Sequence, residues 1–66
     1  MTPAELARTG RALYGPGWQS PLARAVGINP RTVRRWASGA CPVPAPAERL
    51  IRLMVRLIRL MVEQEG

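Results

Sequence analysis

The sequence has no histidine, no aspartate and only one cysteine, Cys41. The first two absences remove the side chains most used for general acid–base work and metal binding. A lone thiol with no histidine beside it is a poor nucleophile and cannot complete a zinc site. No enzyme activity, cofactor, metal or small-molecule substrate is therefore expected. One cysteine also excludes an intramolecular disulfide, which fits a reducing cytoplasm. Cys41 itself reads as an inert residue beside a proline-rich stretch. Lysine is missing as well: all ten basic residues are arginine, set against four glutamates, for a net charge of +6. That imbalance calls for an anionic partner, nucleic acid first and a membrane surface second. No uninterrupted apolar run is long enough to span a bilayer, because Arg52, Arg56 and Arg59 break the C-terminal one. The N-terminus lacks a basic segment followed by an apolar stretch, so no secretory leader is expected.

What is present is strong local punctuation. Thr2, Pro3 and Glu5 form a capping box with proline at the first helical position, and Met1 and Leu6 fall on the two staple positions. A first helix is expected from there to Leu13 or Tyr14, ended by Gly15-Pro16-Gly17. Gly10 inside it costs about 1 kcal/mol relative to alanine and is a place for a bend. Two short helices follow, about Gln19 to Val26 and Pro30 to Ala37. The first of them starts either at Gln19 or after a Ser20 cap with Pro21 leading. Gly27 supplies a left-handed terminus, Asn29 a helix cap, Pro30 a first helical residue and Gly39 a second left-handed stop. Residues 40–46 carry alternate prolines and read as an extended connector. A last helix is expected from Pro46 or Ala47 to about Gln64, and its centre repeats: residues 49–55 and 56–62 are the same seven-residue string.

The fold class expected is all-α: one small domain over residues 1–66, with a helix-turn-helix at 19–38 and a long amphipathic C-terminal helix at 47–64. Leu22, Val26, Ile28, Val33 and Trp36 are spaced to face one shared core. Ala23 falls where the two short helices come closest, and Gly27 where the chain reverses. Trp18 and Trp36 read as core anchors rather than stacking platforms. On the other side of the second short helix, Arg31, Arg34, Arg35 and Ser38 share one face. Arginine on such a face suits a phosphate-lined groove and can grip guanine O6 and N7 as a pair. Arg34 and Ser38 are expected at phosphates. Arg8, Arg11 and Arg24 read as solvated surface charges.

Residues 19–39 resemble the helix-turn-helix of lambdoid phage repressors and Cro-like regulators, through Gln19, Leu22, Ala23, Gly27, Asn29, Thr32, Val33 and Gly39. The resemblance implies a double-stranded DNA partner and a second short helix laid in the major groove. It implies base reading by Pro30, Arg31 and Arg35, and phosphate contact by Gln19, Asn29 and Thr32. It also implies a transcriptional regulator, a repressor of its own small operon in a phage or mobile element. Three departures stand out. Trp18 replaces a small capping residue, Pro30 can offer only apolar contact, and a proline connector with one long helix replaces the family's last two helices.

On that last helix Arg49, Arg52, Arg56, Arg59 and Glu63 occupy an arc of about 80°, leaving about 220° apolar. One seam is Leu50, Leu53, Leu57 and Leu60; the other is Ile51, Val55, Ile58 and Val62, with Met54 and Met61 between them. One seam is expected to pack on the domain. The other, assigned as Ile51, Val55, Ile58 and Val62, is expected to form a homodimer. A monomer with the surplus covered by the first helix and an amphipathic helix lying on a membrane are the other readings. A second function class also fits: a protein-interaction module, antitoxin-like or directed at a phage host, using this helix with the helix-turn-helix as scaffold.

Overall fold

The structure, a computed structural model, describes residues 1–65 and is all-helical there: α1 Pro3–Tyr14, α2 Gln19–Val26, α3 Pro30–Ser38 and α4 Ala45–Glu65. Each boundary has a local cause. Thr2 accepts the Glu5 N–H at 3.1 Å and Glu5 accepts the Thr2 N–H at 3.3 Å, which closes the capping box of α1. The α1 backbone runs unbroken through Gly10. Gly27, at φ +80°, ends α2 and lets both its own N–H and that of Ile28 reach the Ala23 carbonyl at 2.9 Å. Asn29 Oδ1 then accepts the Arg31 N–H at 2.9 Å and starts α3 three residues later.

Two boundaries differ from expectation. α3 runs one residue further, to Ser38, whose hydroxyl donates to the Arg35 carbonyl at 3.0 Å. α4 begins at Ala45 rather than at Pro46 or Ala47, because the Pro44 carbonyl accepts the Glu48 N–H at 2.9 Å. Pro46 then sits in the first turn, where its missing N–H costs nothing. The connector shortens accordingly to residues 40–44.

Seven residues form the core: Leu6 of α1, Trp18 before α2, Leu22 and Ala23 of α2, Val33 and Trp36 of α3, and Ile51 of α4. Val26 and Ile28 pack against it half-buried. Each large apolar side chain taken out of water contributes about 1.5–3 kcal/mol, so a core of seven leaves little to lose. Trp18 explains why residue 10 is glycine. A Cβ there would stand 2.2 Å from Cε3 of the Trp18 ring, so the indole lies directly on the α1 backbone.

α4 is held only along its first half. Ile51 is fully buried, while Ala47, Met54 and Val55 are half-buried. Every residue from Arg56 to Gln64 is exposed. At about 1.5 Å per residue, a helix of 21 residues outruns a body 21–23 Å across. This placement corrects the seam assignment at Ile51 and leaves Ile58 and Val62, 45% and 62% exposed, as open as the leucines. Ile51, expected at a dimer contact, belongs to the domain's own core, and Val55 and Ile58 line shallow grooves against α1. The leucine seam, expected to face inward, points to solvent, with Leu53 50% and Leu57 51% exposed. The reason lies in the approach of the helix: the connector sets it down on its isoleucine side, beside α2.

Polar contacts tie the start of α4 to the N-terminus. The Met1 α-amino group donates to Glu48, and Arg52 reaches both Glu48 at 3.5 Å and Glu5 at 3.6 Å. The Thr2 backbone N–H holds the Glu5 carboxyl below its usual range, and the Met1 amine does the same for Glu48. A lowered carboxyl pKa stabilises the fold above the ordinary value of 4.5, and that stabilisation is lost as pH falls through the lowered folded value.

Two outcomes follow. Gly10→Ala gains helix propensity but forces its methyl into Trp18, so urea unfolding should show a net loss of about 2 kcal/mol; unchanged stability would contradict the packing. Glu48→Gln should lower the melting temperature at pH 7, and the difference from wild type should close as the pH is brought well below 4.5. A difference that persisted in acid would mean that charge is not what Glu48 contributes.

Candidate nucleic-acid interface

α3 is short and two-sided, and that decides what it can present. Val33 is 0% exposed and Trp36 4%, so one side of the helix is locked in the core. Arg31, Arg34 and Arg35 therefore all emerge on the opposite side, and all three are exposed. The caps fix both ends of this face. The Asn29 side-chain oxygen holds the first turn, and the Gly39 N–H reaches the Arg35 and Trp36 carbonyls. The helix axis and the azimuth of the three guanidinium groups are thus set by backbone hydrogen bonds and buried apolar contacts.

The electrostatics are one-signed. Residues 19–39 contain Arg24, Arg31, Arg34 and Arg35 and no acidic residue. Of the acids whose side chains are described, Glu5, Glu48 and Glu63 lie on α1 and α4. Glu5 and Glu48 are engaged with Arg52 and the N-terminus. No arginine of α3 makes an ion pair among the described residues, so their charge is available to an external anion.

The other expected contact residues fall into two groups. Gln19 opens α2 and is half-buried. Trp18, the residue before it, has helical angles and makes no capping hydrogen bond, so the first N–H groups of α2 have no side-chain partner. Asn29, Pro30 and Thr32 cluster at the start of α3, with Pro30 and Thr32 half-buried and Asn29 exposed. Asn29 uses its oxygen as a cap, which leaves its amide NH₂ as the group able to donate outward. Ser38 stands apart at the far end of α3. Its hydroxyl donates to the Arg35 carbonyl and accepts the Ala40 N–H at 3.4 Å, so it is already engaged in closing the helix.

A second exposed row of arginines, Arg49, Arg52, Arg56 and Arg59, runs along α4, but there Arg52 is paired with Glu5 and Glu48 and Glu63 lies in the same arc. The larger groove, of about 430 Å³, lies between α1 and α4 and is lined by Met1, Thr9, Val55, Arg56, Arg59 and the Glu5–Arg52 pair; no residue of α3 reaches it. Among the described residues no group of histidine, cysteine or acidic side chains could hold a metal ion. No helix there is long and apolar enough to cross a membrane. No family model, no curated protein and no solved structure matches this chain.

Proposed function

We propose that this chain is a sequence-specific double-stranded DNA-binding regulator, a repressor that acts by occupying its operator, with α3 laid in the major groove. The observation that carries the reading is the division of α3 into a buried apolar side, Val33 and Trp36, and an exposed side bearing Arg31, Arg34 and Arg35. A duplex major groove admits one α-helix, and its walls are phosphates. Arg31 and Arg35 are the base readers, each suited to guanine. Pro30 at the tip offers apolar contact, of the kind a thymine methyl accepts. Arg34, Gln19, Asn29 and Thr32 act at phosphates and set the register. The interaction-module reading rests on the exposed end of α4. It differs in one measurable way: it requires no base preference.

Selection of bound duplexes from a random pool tests the proposal. The recovered sites should share a short motif. On that motif Arg31→Ala and Arg35→Ala should each cost about 1–3 kcal/mol and relax preference at one position, whereas Gln19→Ala should weaken all sequences alike. Log K should fall linearly with log salt, with a slope of about −0.9 per phosphate neutralised. A salt-independent affinity, or a motif unchanged by both arginine variants, would overturn the assignment.

A further inference from the structure

The verbatim repeat of α4 places the same seven side chains in two settings. Ile51 is 0% exposed and its counterpart Ile58 is 45% exposed. Met54 and Val55 are half-buried, yet Met61 is 63% and Val62 62% exposed. The leucines are exposed in both copies of the repeat, from 38% at Leu50 to 51% at Leu57. The whole surface, 4721 Å², exceeds the roughly 4,200 Å² expected of a compact chain of this mass. A contiguous apolar stripe of this kind is what soluble monomers avoid.

We propose that two copies of this chain pair through the leucine seam of α4 in antiparallel orientation, with Arg49 of each copy opposite Glu63 of the other. The inference rests on the surface of α4 and is independent of the DNA reading. Leu50, Leu53, Leu57 and Leu60 follow one another at spacings of three and four, the a and d positions of a heptad. Antiparallel alignment of Leu53 with Leu57, and of Leu50 with Leu60, gives four layers filled by leucine alone. The residue preceding each a position flanks that seam: Arg49, Arg56 and, one heptad on, Glu63. In antiparallel pairing this flank meets its own copy, and the same register brings Arg49 across from Glu63 twice and Arg56 across from Arg56 of the other copy once, so two opposite-charge pairs stand against one like-charge pair. Parallel pairing would instead set Arg49 and Arg56 beside the methionines and leave Glu63 without a cation. Glu63 and Arg49 make no ion pair within the chain among the described residues, so both are free for this use.

Folding supplies the rest. Two heptads are too short to form a coiled coil from free helices. Here Ile51 already anchors the first heptad to the domain, so the exposed second heptad of one copy meets a preordered surface on the other. The repeat makes the two halves of that contact chemically alike.

Sedimentation combined with cysteine pairing tests orientation and partner together. In a Cys41→Ser background, mixing Leu53→Cys chains with Leu57→Cys chains should give the mixed disulfide, and either chain alone should give little homodimeric disulfide. Leu57→Glu places two charges in the centre of the seam and should raise the dimer dissociation constant on the order of 100-fold or more, with helix content retained because Leu57 is half exposed in the single chain. Arg49→Glu and Glu63→Arg should each weaken pairing about 2–10-fold, and the double exchange should restore it. Homodimeric disulfides at 53 would overturn the orientation. A wild-type chain that remains monomeric at about 100 µM would overturn the pairing itself; binding of that monomer to anionic phospholipid vesicles would assign the stripe to a lipid surface instead.

Discussion

Burial of Val33 and Trp36 is the constraint from which the rest of the molecule follows. These two side chains enter a core of only seven residues, alongside Leu6, Leu22 and Ile51, so all four helices are committed to holding them. With one side of α3 fixed inside, the three arginines at 31, 34 and 35 have no direction left but outward. Trp18 enforces the same arrangement from the other side. Its ring rests on the α1 backbone at Gly10, which lets α1 approach closely enough for Leu6 to reach the core. A larger residue at 10 would move α1 and, through it, the surface on which the arginines stand.

The charge distribution is a second consequence of this layout. The acids on α1 and near the start of α4 are drawn together by Arg52 and the N-terminal amine, and α2 and α3 carry none. Cationic charge with no acidic residue on the same element thus lies where the short helices meet solvent, whereas the four arginines of α4 share their helix with glutamates. For a polyanionic ligand such a one-signed face accelerates encounter as well as strengthening contact. The far half of α4 is different in kind: an apolar surface flanked by arginine, extending beyond the body that anchors it.

Much of this was legible in the residues. Capping residues, prolines and glycines mark the helix ends because each has one strong backbone preference, and Thr2, Asn29, Gly27 and Gly39 all act as those preferences require. The two faces of α3 could be read for the same reason: a nine-residue helix with two large apolar side chains has one way to bury them. What could not be read was the rotation of α4. An apolar arc of more than half its circumference allows several inward faces, and the repeat removes the contrast that would choose among them. Only the three-dimensional path of the connector selects the isoleucine side, and it holds Ile51 but not Ile58. The role of Gly10 was hidden likewise, since its partner Trp18 lies eight residues away across a turn.

The proposed contact of α3 with DNA runs through its exposed arginine face. Backbone amide chemical shifts of the wild-type chain, recorded with and without a duplex recovered from a random pool, test it most directly. The largest changes should fall on Gln19, Asn29 and residues 31–35, with the second half of α4 little affected. Changes concentrated on residues 56–64, or none on α3 at saturating duplex, would contradict it.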